Sequence, residues 1–181
     1  MANIGLVTMK WWPLTSGKYT AGLTIGKATK CDIKFNRASG DLYADDGTAE
    51  HDEEILDADL TAGSDDISQD VINPIWGHTV EEATKAVTYG KTDVAPYGGF
   101  STIQTGTKSG VRYWDAMFLY KTKMGDADIS ATTKGNSITY STPEFSGKAL
   151  YDNNGHIMKR QRCASLEEAE TFLNTCAGIT P

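Results

Sequence analysis

The sequence predicts a mainly β fold: a β-sandwich or barrel with a short helix and a C-terminal helix, in one domain spanning 1–181. Three observations point there. Apolar and polar residues alternate with a period of two along several stretches. The run Val111-Arg112-Tyr113-Trp114-Asp115-Ala116-Met117-Phe118-Leu119-Tyr120 is crowded with aromatic and branched residues, the composition of a central strand. The 18 glycines and a hydrophobic content of 39% suit many turns better than a helical bundle. At 181 residues the chain is long enough to bury roughly two-thirds of its unfolded surface.

The elements follow in order. Residues 1–24 are rich in Gly and Thr and read as an N-terminal arm with a short strand around Ile4 to Met9. From Cys31 to Arg37, Cys31, Ile33 and Phe35 alternate with Asp32, Lys34 and Asn36, a half-buried strand that Gly40 breaks. Leu42-Tyr43-Ala44 opens the next element, and Asp45 to Glu53 reads as a polar loop within an acidic loop or hairpin over 41–64. Over 54 to 61, Leu56, Ala58 and Leu60 fall on one side, and Ile55, Asp57 and Asp59 on the other. Ser64 or Asp65 is placed to cap a short helix through Ile67 and Val71, which Pro74 limits. Strands are expected at Thr84 to Tyr89, Gly99 to Thr105, Val111 to Met124 and Asn136 to Leu150. Asn154-Gly155 has the chemistry of a tight hairpin turn, because both residues accept positive φ. Ser165 and Glu168 have capping-box spacing; Leu166, Ala169, Phe172, Leu173 and Cys176 then share one helix face, and Gly178 ends it.

Charge is segregated along this chain. Asp41, Asp45, Asp46, Glu50, Asp52, Glu53, Glu54, Asp57, Asp59, Asp65, Asp66 and Asp70 make half of its 24 carboxylates, with no Lys or Arg among them. The first 40 residues hold Lys10, Lys18, Lys27, Lys30, Lys34 and Arg37 against Asp32 alone. A chain with a positive end and a negative flap can dock onto copies of itself. The net charge of −7 argues against ordinary duplex DNA binding, which relies on Lys and Arg displacing phosphate counterions. The longest apolar run, Ala116 to Tyr120, is far short of the ~20 residues of a membrane helix. Met1-Ala2-Asn3-Ile4-Gly5 lacks a basic region followed by an apolar core, so a protein held in the cytosol before assembly is expected.

Catalytic chemistry is not evident. Gly-x-Gly-x-x-Gly, a Walker-type loop, His-Glu-x-x-His and Gly-x-Ser-x-Gly are absent. His51, His78 and His156 are scattered over turns and loops, where solvated or locally bonded histidines are the rule. Cys31, Cys163 and Cys176 are too sparse for a disulfide framework or a zinc site and read as reduced structural thiols. The carboxylates of 45–54 come in adjacent pairs rather than the alternating oxygen ligands of a calcium loop, and read as a solvated flap. No catalytic residue, cofactor or metal ligand is assigned. Trp76 and Trp114 read as core. Trp11 and Trp12 point opposite ways on an extended segment, so at least one is expected on a partner surface, where Trp is favoured as an anchor.

Several blocks, taken in order, carry a family resemblance. Leu42-Tyr43-Ala44-Asp45-Asp46, Ser64-Asp65-Asp66-Ile67 and Trp76-Gly77-His78 come first. Ala95-Pro96-Tyr97-Gly98-Gly99-Phe100, Leu119-Tyr120-Lys121, Thr133-Lys134-Gly135 and Ser141-Thr142-Pro143 with Gly147 follow, before the closing helix with Phe172 and Leu173. Over about residues 40 to 175 this resembles the major tail (tail tube) proteins of long-tailed phages of Gram-positive bacteria. Trp11-Trp12-Pro13 and the basic arm depart from the family pattern. The resemblance implies a structural subunit of the virion that assembles into hexameric rings. The rings stack into a tube through which the genome is ejected, with the tape-measure protein and tail terminator as further partners. The tube of a phage-derived bacteriocin or secretion device is a near neighbour, and a small metal-dependent enzyme using the 45–54 carboxylates is the competing class. Within the assembly reading, Lys10, Trp11, Trp12, Lys18, Asp45, Asp46, Glu50, Asp52, Glu53 and Glu54 are the expected inter-subunit residues. Asp57 and Asp59 are expected to face the lumen.

Overall fold

A computed structural model of the chain describes residues 3–44, 47–129 and 141–179. The strands are β1 (Asn3–Thr15), β2 (Lys18–Tyr19), β3 (Leu23–Thr24), β4 (Ala28–Ala44), β5 (Gly47–Ser64), β6 (Thr79–Val80), β7 (Val87–Thr88), β8 (Gly98–Lys108), β9 (Val111–Met124), β10 (Glu144–Ala149) and β11 (Met158–Cys163). Helix α1 (Gln69–Trp76) follows β5 and α2 (Leu166–Cys176) follows β11. The fold is mainly β. One antiparallel sheet runs β2-β1-β8-β9-β10-β5-β4, with β3 added to β1 and β11 added to β9, while β6 and β7 form a separate small hairpin. β1 and β4, from opposite ends of this order, approach each other across a shallow seam lined by Ile4, Leu6, Ala28, Thr29 and Cys31, so the sheet curls into an open barrel. All three cysteines are free.

The aromatic run of β9 is central, as its composition predicts. It pairs with β8 along one edge, and its other edge is shared by β11 (Trp114 to Leu119) and β10 (Thr122 to Met124). Both faces are covered. Inside the curl, Met9, Trp11, Phe100, Leu119, Met124, Phe145, Ala58 and Leu60 pack with Val71, Ile75 and Trp76 of α1. On the outer face Trp12, Ile103, Ala116, Phe118 and Tyr120 lie under Ala169, Phe172 and Leu173 of α2.

These two cores correct the reading of the N-terminus. Residues 3–15 are no arm but a full strand paired with β8 from Asn3↔Gly106 to Pro13↔Gly98. Trp11 and Trp12 do point opposite ways, yet both are buried, because each sheet face has its own core. Trp11 Nε1 donates to Pro74 O at 2.9 Å and Trp12 Nε1 donates to Ser101 Oγ at 2.8 Å, so neither indole enters the core unpaired. Each ring rests against a glycine: a Cβ on Gly22 would lie 2.8 Å from the Trp12 ring, and one on Gly98 would collide with Trp11.

Helix α1 starts later than expected. Ser64 Oγ donates to Asp66 O at 2.6 Å, and Asp65 Oδ1 accepts from Lys27 N at 2.7 Å, so both side chains tie down the β5–α1 turn instead of capping. Ser68 is the N-cap residue, and Pro74 sits inside the last turn of an 8-residue helix, where it removes one intrahelical bond. Helix α2 forms as its capping box predicts, with Ser165 Oγ accepting from Glu168 N at 3.1 Å. Leu166, expected on its buried face, is instead exposed at the first position. The strand expected over 84–89 is only β7, a two-residue partner of β6. That over 136–150 is β10 alone among the described residues. Asn154-Gly155 does turn, with Gly155 at φ 76°, but it joins no hairpin: β10 and β11 both pair with β9 rather than with each other.

Candidate inter-subunit surfaces

Strands β4 and β5 outrun the rest of the sheet. β10 stops at Ala149↔Ala58, whereas β4–β5 pairing continues through Asn36↔Asp57 and Arg37↔Ile55 to Ala44↔Gly47. The stretch expected to be a polar loop, Asp45 to Glu53, is therefore strand from Gly47 onward; Asp45 and Asp46 lie outside the described residues. The nine residues Asn36 to Ala44 carry this ribbon about 30 Å beyond the last three-stranded level, at roughly 3.3 Å per residue.

Residues 37–41 and 50–54 are exposed on both faces of the ribbon. Asp41, Glu50, Asp52, Glu53 and Glu54 face water there against Arg37 as the one Lys or Arg among the described side chains. Arg37 Nη1 lies 3.0 Å from Glu53 Oε2, and His51 Nδ1 lies 2.6 Å from Asp41 Oδ1, two cross-strand ties at the surface. Exposed pairs of this kind contribute about 0.2–1 kcal/mol each, and a two-stranded hairpin is marginal in water by itself.

Its root is built differently. The register skips between Asn36↔Asp57 and Arg37↔Ile55, which leaves Leu56 as the extra residue of a bulge. Leu56 was expected with Ala58 and Leu60 in the core; the bulge reverses the alternation, so Leu56 is 53% exposed while Ile55 packs on the core. Beyond the bulge the expected alternation holds. Ala58 and Leu60 are buried, and Asp57 and Asp59 lie on the outward face of the β10-β5-β4 sheet. There Asn36 Nδ2 donates to Asp57 Oδ1 at 2.6 Å and to Asp59 Oδ2 at 2.8 Å, and Lys148 Nζ reaches the same two carboxylates at 3.0 and 3.4 Å. The Asn36 hydrogen bond, then Lys148, hold the Asp57 carboxyl below its ordinary range.

The other residues expected at interfaces are dispersed. Trp11 and Trp12 are core, as described above. Lys10 is tied within the chain to Glu170 at 3.4 Å, because β1 lies beneath α2. Lys18 is exposed on β2. The basic end and the acidic flap of the sequence are thus mostly neighbouring strands of one sheet, with Lys30 of β4 bridging Asp32 at 3.9 Å and Glu144 at 3.1 Å.

Two polar clusters were not read from the sequence. Buried His78, after α1, is clasped by two carboxylates: Nδ1 lies 2.8 Å from Asp93 Oδ2 and Nε2 2.8 Å from Asp126 Oδ1, with the Tyr89 ring 4.3 Å away. The Asp93 hydrogen bond, with a smaller one from Asp126, raises the imidazole pKa and favours the doubly protonated ring. On β9, Asp115 is 1% exposed and accepts from Arg160 Nη2 at 2.7 Å and from Arg162 Nε and Nη2 at 3.1 Å each. Only the histidine's place between distant loops, and the arginine pair at i, i+2 on β11, hint at these in the sequence. Among the described residues no three His, Cys, Asp or Glu side chains converge as a metal site, and no helix is long and apolar enough to cross a membrane. Among known proteins, no family model matches the chain, and no curated protein matches it in sequence.

Proposed function

We propose that this chain is the structural subunit of a phage tail tube, self-assembling into stacked hexameric rings that form the conduit for DNA ejection. The observation that carries the reading is the β4–β5 ribbon: it runs on past the end of β10, and its residues 37–41 and 50–54 are exposed on both faces with five acids against one arginine. Such an element is poorly stable alone and gains its partner when a neighbouring copy covers it. The family resemblance of the ordered blocks from Leu42 to Phe172 supplies the six-fold ring and the tube, and with them the tape-measure protein and terminator as partners. One repeated contact that closes after a fixed rotation makes the ring, and a second along the axis makes the tube.

In this reading Asp57 and Asp59 face the lumen. Their sheet face holds Lys30, Lys34, Lys123 and Lys148 against Asp32, Asp57, Asp59 and Glu144, a balance in which Lys30 and Lys148 already have carboxylate partners. A wall of this kind has little to gain from phosphate and lets a genome slide.

The test is electron microscopy and sedimentation of the purified chain beside a variant whose residues 38–54 are replaced by an Asn-Gly turn. The full chain is expected to form rings or tubes, and the shortened one to remain a folded monomer with unchanged thermal unfolding of its body. A full chain that stays monomeric at every concentration would defeat the proposal.

A further inference from the structure

One edge of the sheet matches the ribbon in chemistry. Strand β11 pairs with β9 on one side, and among the described residues its other edge bears no strand. Its sequence, Met158-Lys159-Arg160-Gln161-Arg162-Cys163, has three bases and no acid, and residues 159–162 are exposed. Arg160 and Arg162 both reach the buried carboxylate of Asp115, at 2.7 and 3.1 Å, while their own side chains stay substantially exposed. Arg162 Cζ also lies over the Tyr113 ring, 4.0 Å from its centroid, a contact that favours this direction of the side chain before any partner arrives.

The other open edges fit an acidic partner less well. Residues 3–8 of β1 carry no charge, and the body part of β4 mixes Lys30 and Lys34 with Asp32 and ties Lys30 to Glu144. Strand β1 is not a free arm, since it is a paired core strand with Lys10 tied to Glu170. On the ribbon, the β5 side is the acidic one: Glu50, Asp52, Glu53 and Glu54 lie there, while β4 offers Asp41 and Arg37. The β5 edge is open below Ile55, whose carbonyl receives Tyr151 Oη at 2.8 Å and closes the root.

Resting on the assembly reading above, we infer that the free edge of β11 receives the β5 edge of the ribbon from a second copy. The two strands run antiparallel, with Arg160 opposite Glu54 and Arg162 opposite Asp52. This joins two unpaired backbone edges, and places unlike charges at directly opposite positions, where they are closest. The β10–β5 pairing of each chain ends at Ala58, so within one chain the ribbon leaves the sheet before reaching β11, and the contact belongs to two copies.

The register puts Glu53 opposite Gln161, both exposed, at a separation that a disulfide spans. Copies carrying Glu53→Cys and Gln161→Cys, assembled from isotopically light and heavy protein and mildly oxidised, are expected to give a 53–161 disulfide between light and heavy chains. A second measurement does not depend on cysteine chemistry. Arg160→Glu and Glu54→Arg, each alone, are expected to weaken association about tenfold, and the double reversal to restore most of it. Because Asp115 keeps Arg162, the Arg160 variant retains a partner for its buried carboxylate. Normal assembly with no 53–161 link and no rescue by the double reversal overturns the edge pairing and leaves the subunit reading standing. A chain that never associates overturns both.

Discussion

His78 shows how one residue can fasten loops far apart in sequence. Its ring ties the segment after α1 to Asp93, which also accepts from Gly90 N at 2.7 Å, and to Asp126, just beyond the end of β9. Both ring nitrogens face carboxylates, so the protonated ring satisfies both, and a neutral ring leaves one acceptor facing another. The folded value lies above the ordinary 6.5, so the stabilisation is whole below about pH 6.5 and is lost as pH rises through the raised folded value. Asp93 has the opposite sign: it is held below 3.8, and its share is whole above that value and lost as pH falls through the lowered one. We expect His78→Gln to cost about 1.5–3 kcal/mol below pH 6.5, with the gap to the native chain narrowing as pH rises through the raised folded value in denaturant titrations. A gap that stays constant across that range would show that the imidazolium is not the stabilising form. Trp12 makes the same point about packing. It is 2% exposed under α2, so Trp12→Ala should cost about 3–5 kcal/mol in the free monomer; a loss of association with unchanged monomer stability would return Trp12 to the surface.

At the scale of elements, the ribbon has a measurable consequence. Free subunits should exchange the amide hydrogens of residues 37–41 and 50–54 quickly, because only one cross-strand layer protects them, whereas assembled subunits should protect at least the β5 side. Equal protection in monomer and assembly would mean that nothing covers the ribbon. How legible each element was depends on what holds it. β9 and α2 were readable because local pattern and burial agree: aromatic and branched residues in one, a capped apolar stripe in the other. The ribbon was not, because acidic residues with no apolar face carry no period, and pairing with β4 rather than burial makes them strand. Leu56 failed for another reason: a bulge shifts the alternation by one residue, and nothing local to Ile55-Leu56-Asp57 announces it. Trp11 and Trp12 misled because a strand covered on both faces takes apolar residues at consecutive positions, a pattern that also fits a partner surface.

For the whole molecule, acids concentrate on the described part of the ribbon and bases on β11, while the outward face of β10-β5-β4 mixes the two signs. The same logic governs the passage of a genome in the proposed tube. On the outward face of β10-β5-β4, Lys148 lies 3.0 Å from Asp57 and 3.4 Å from Asp59, so its charge is spent within the subunit. Converting Asp57 and Asp59 to Lys removes both partners of Lys148 and adds two further bases, and each ring repeats the change in every copy. Any base that meets a phosphate releases counterions, and affinity for duplex DNA then falls with salt at a log–log slope of about −0.9 per contact. Both carboxylates are partly exposed, on the face of β5 opposite Ala58 and Leu60, so the body should keep its fold. The expected outcome is tubes of normal dimensions that bind DNA measurably at low salt, release it at high salt and eject a genome more slowly. Tubes of the double variant that neither bind DNA nor slow ejection at any ionic strength would place Asp57 and Asp59 away from the lumen, and the β10-β5-β4 face with them.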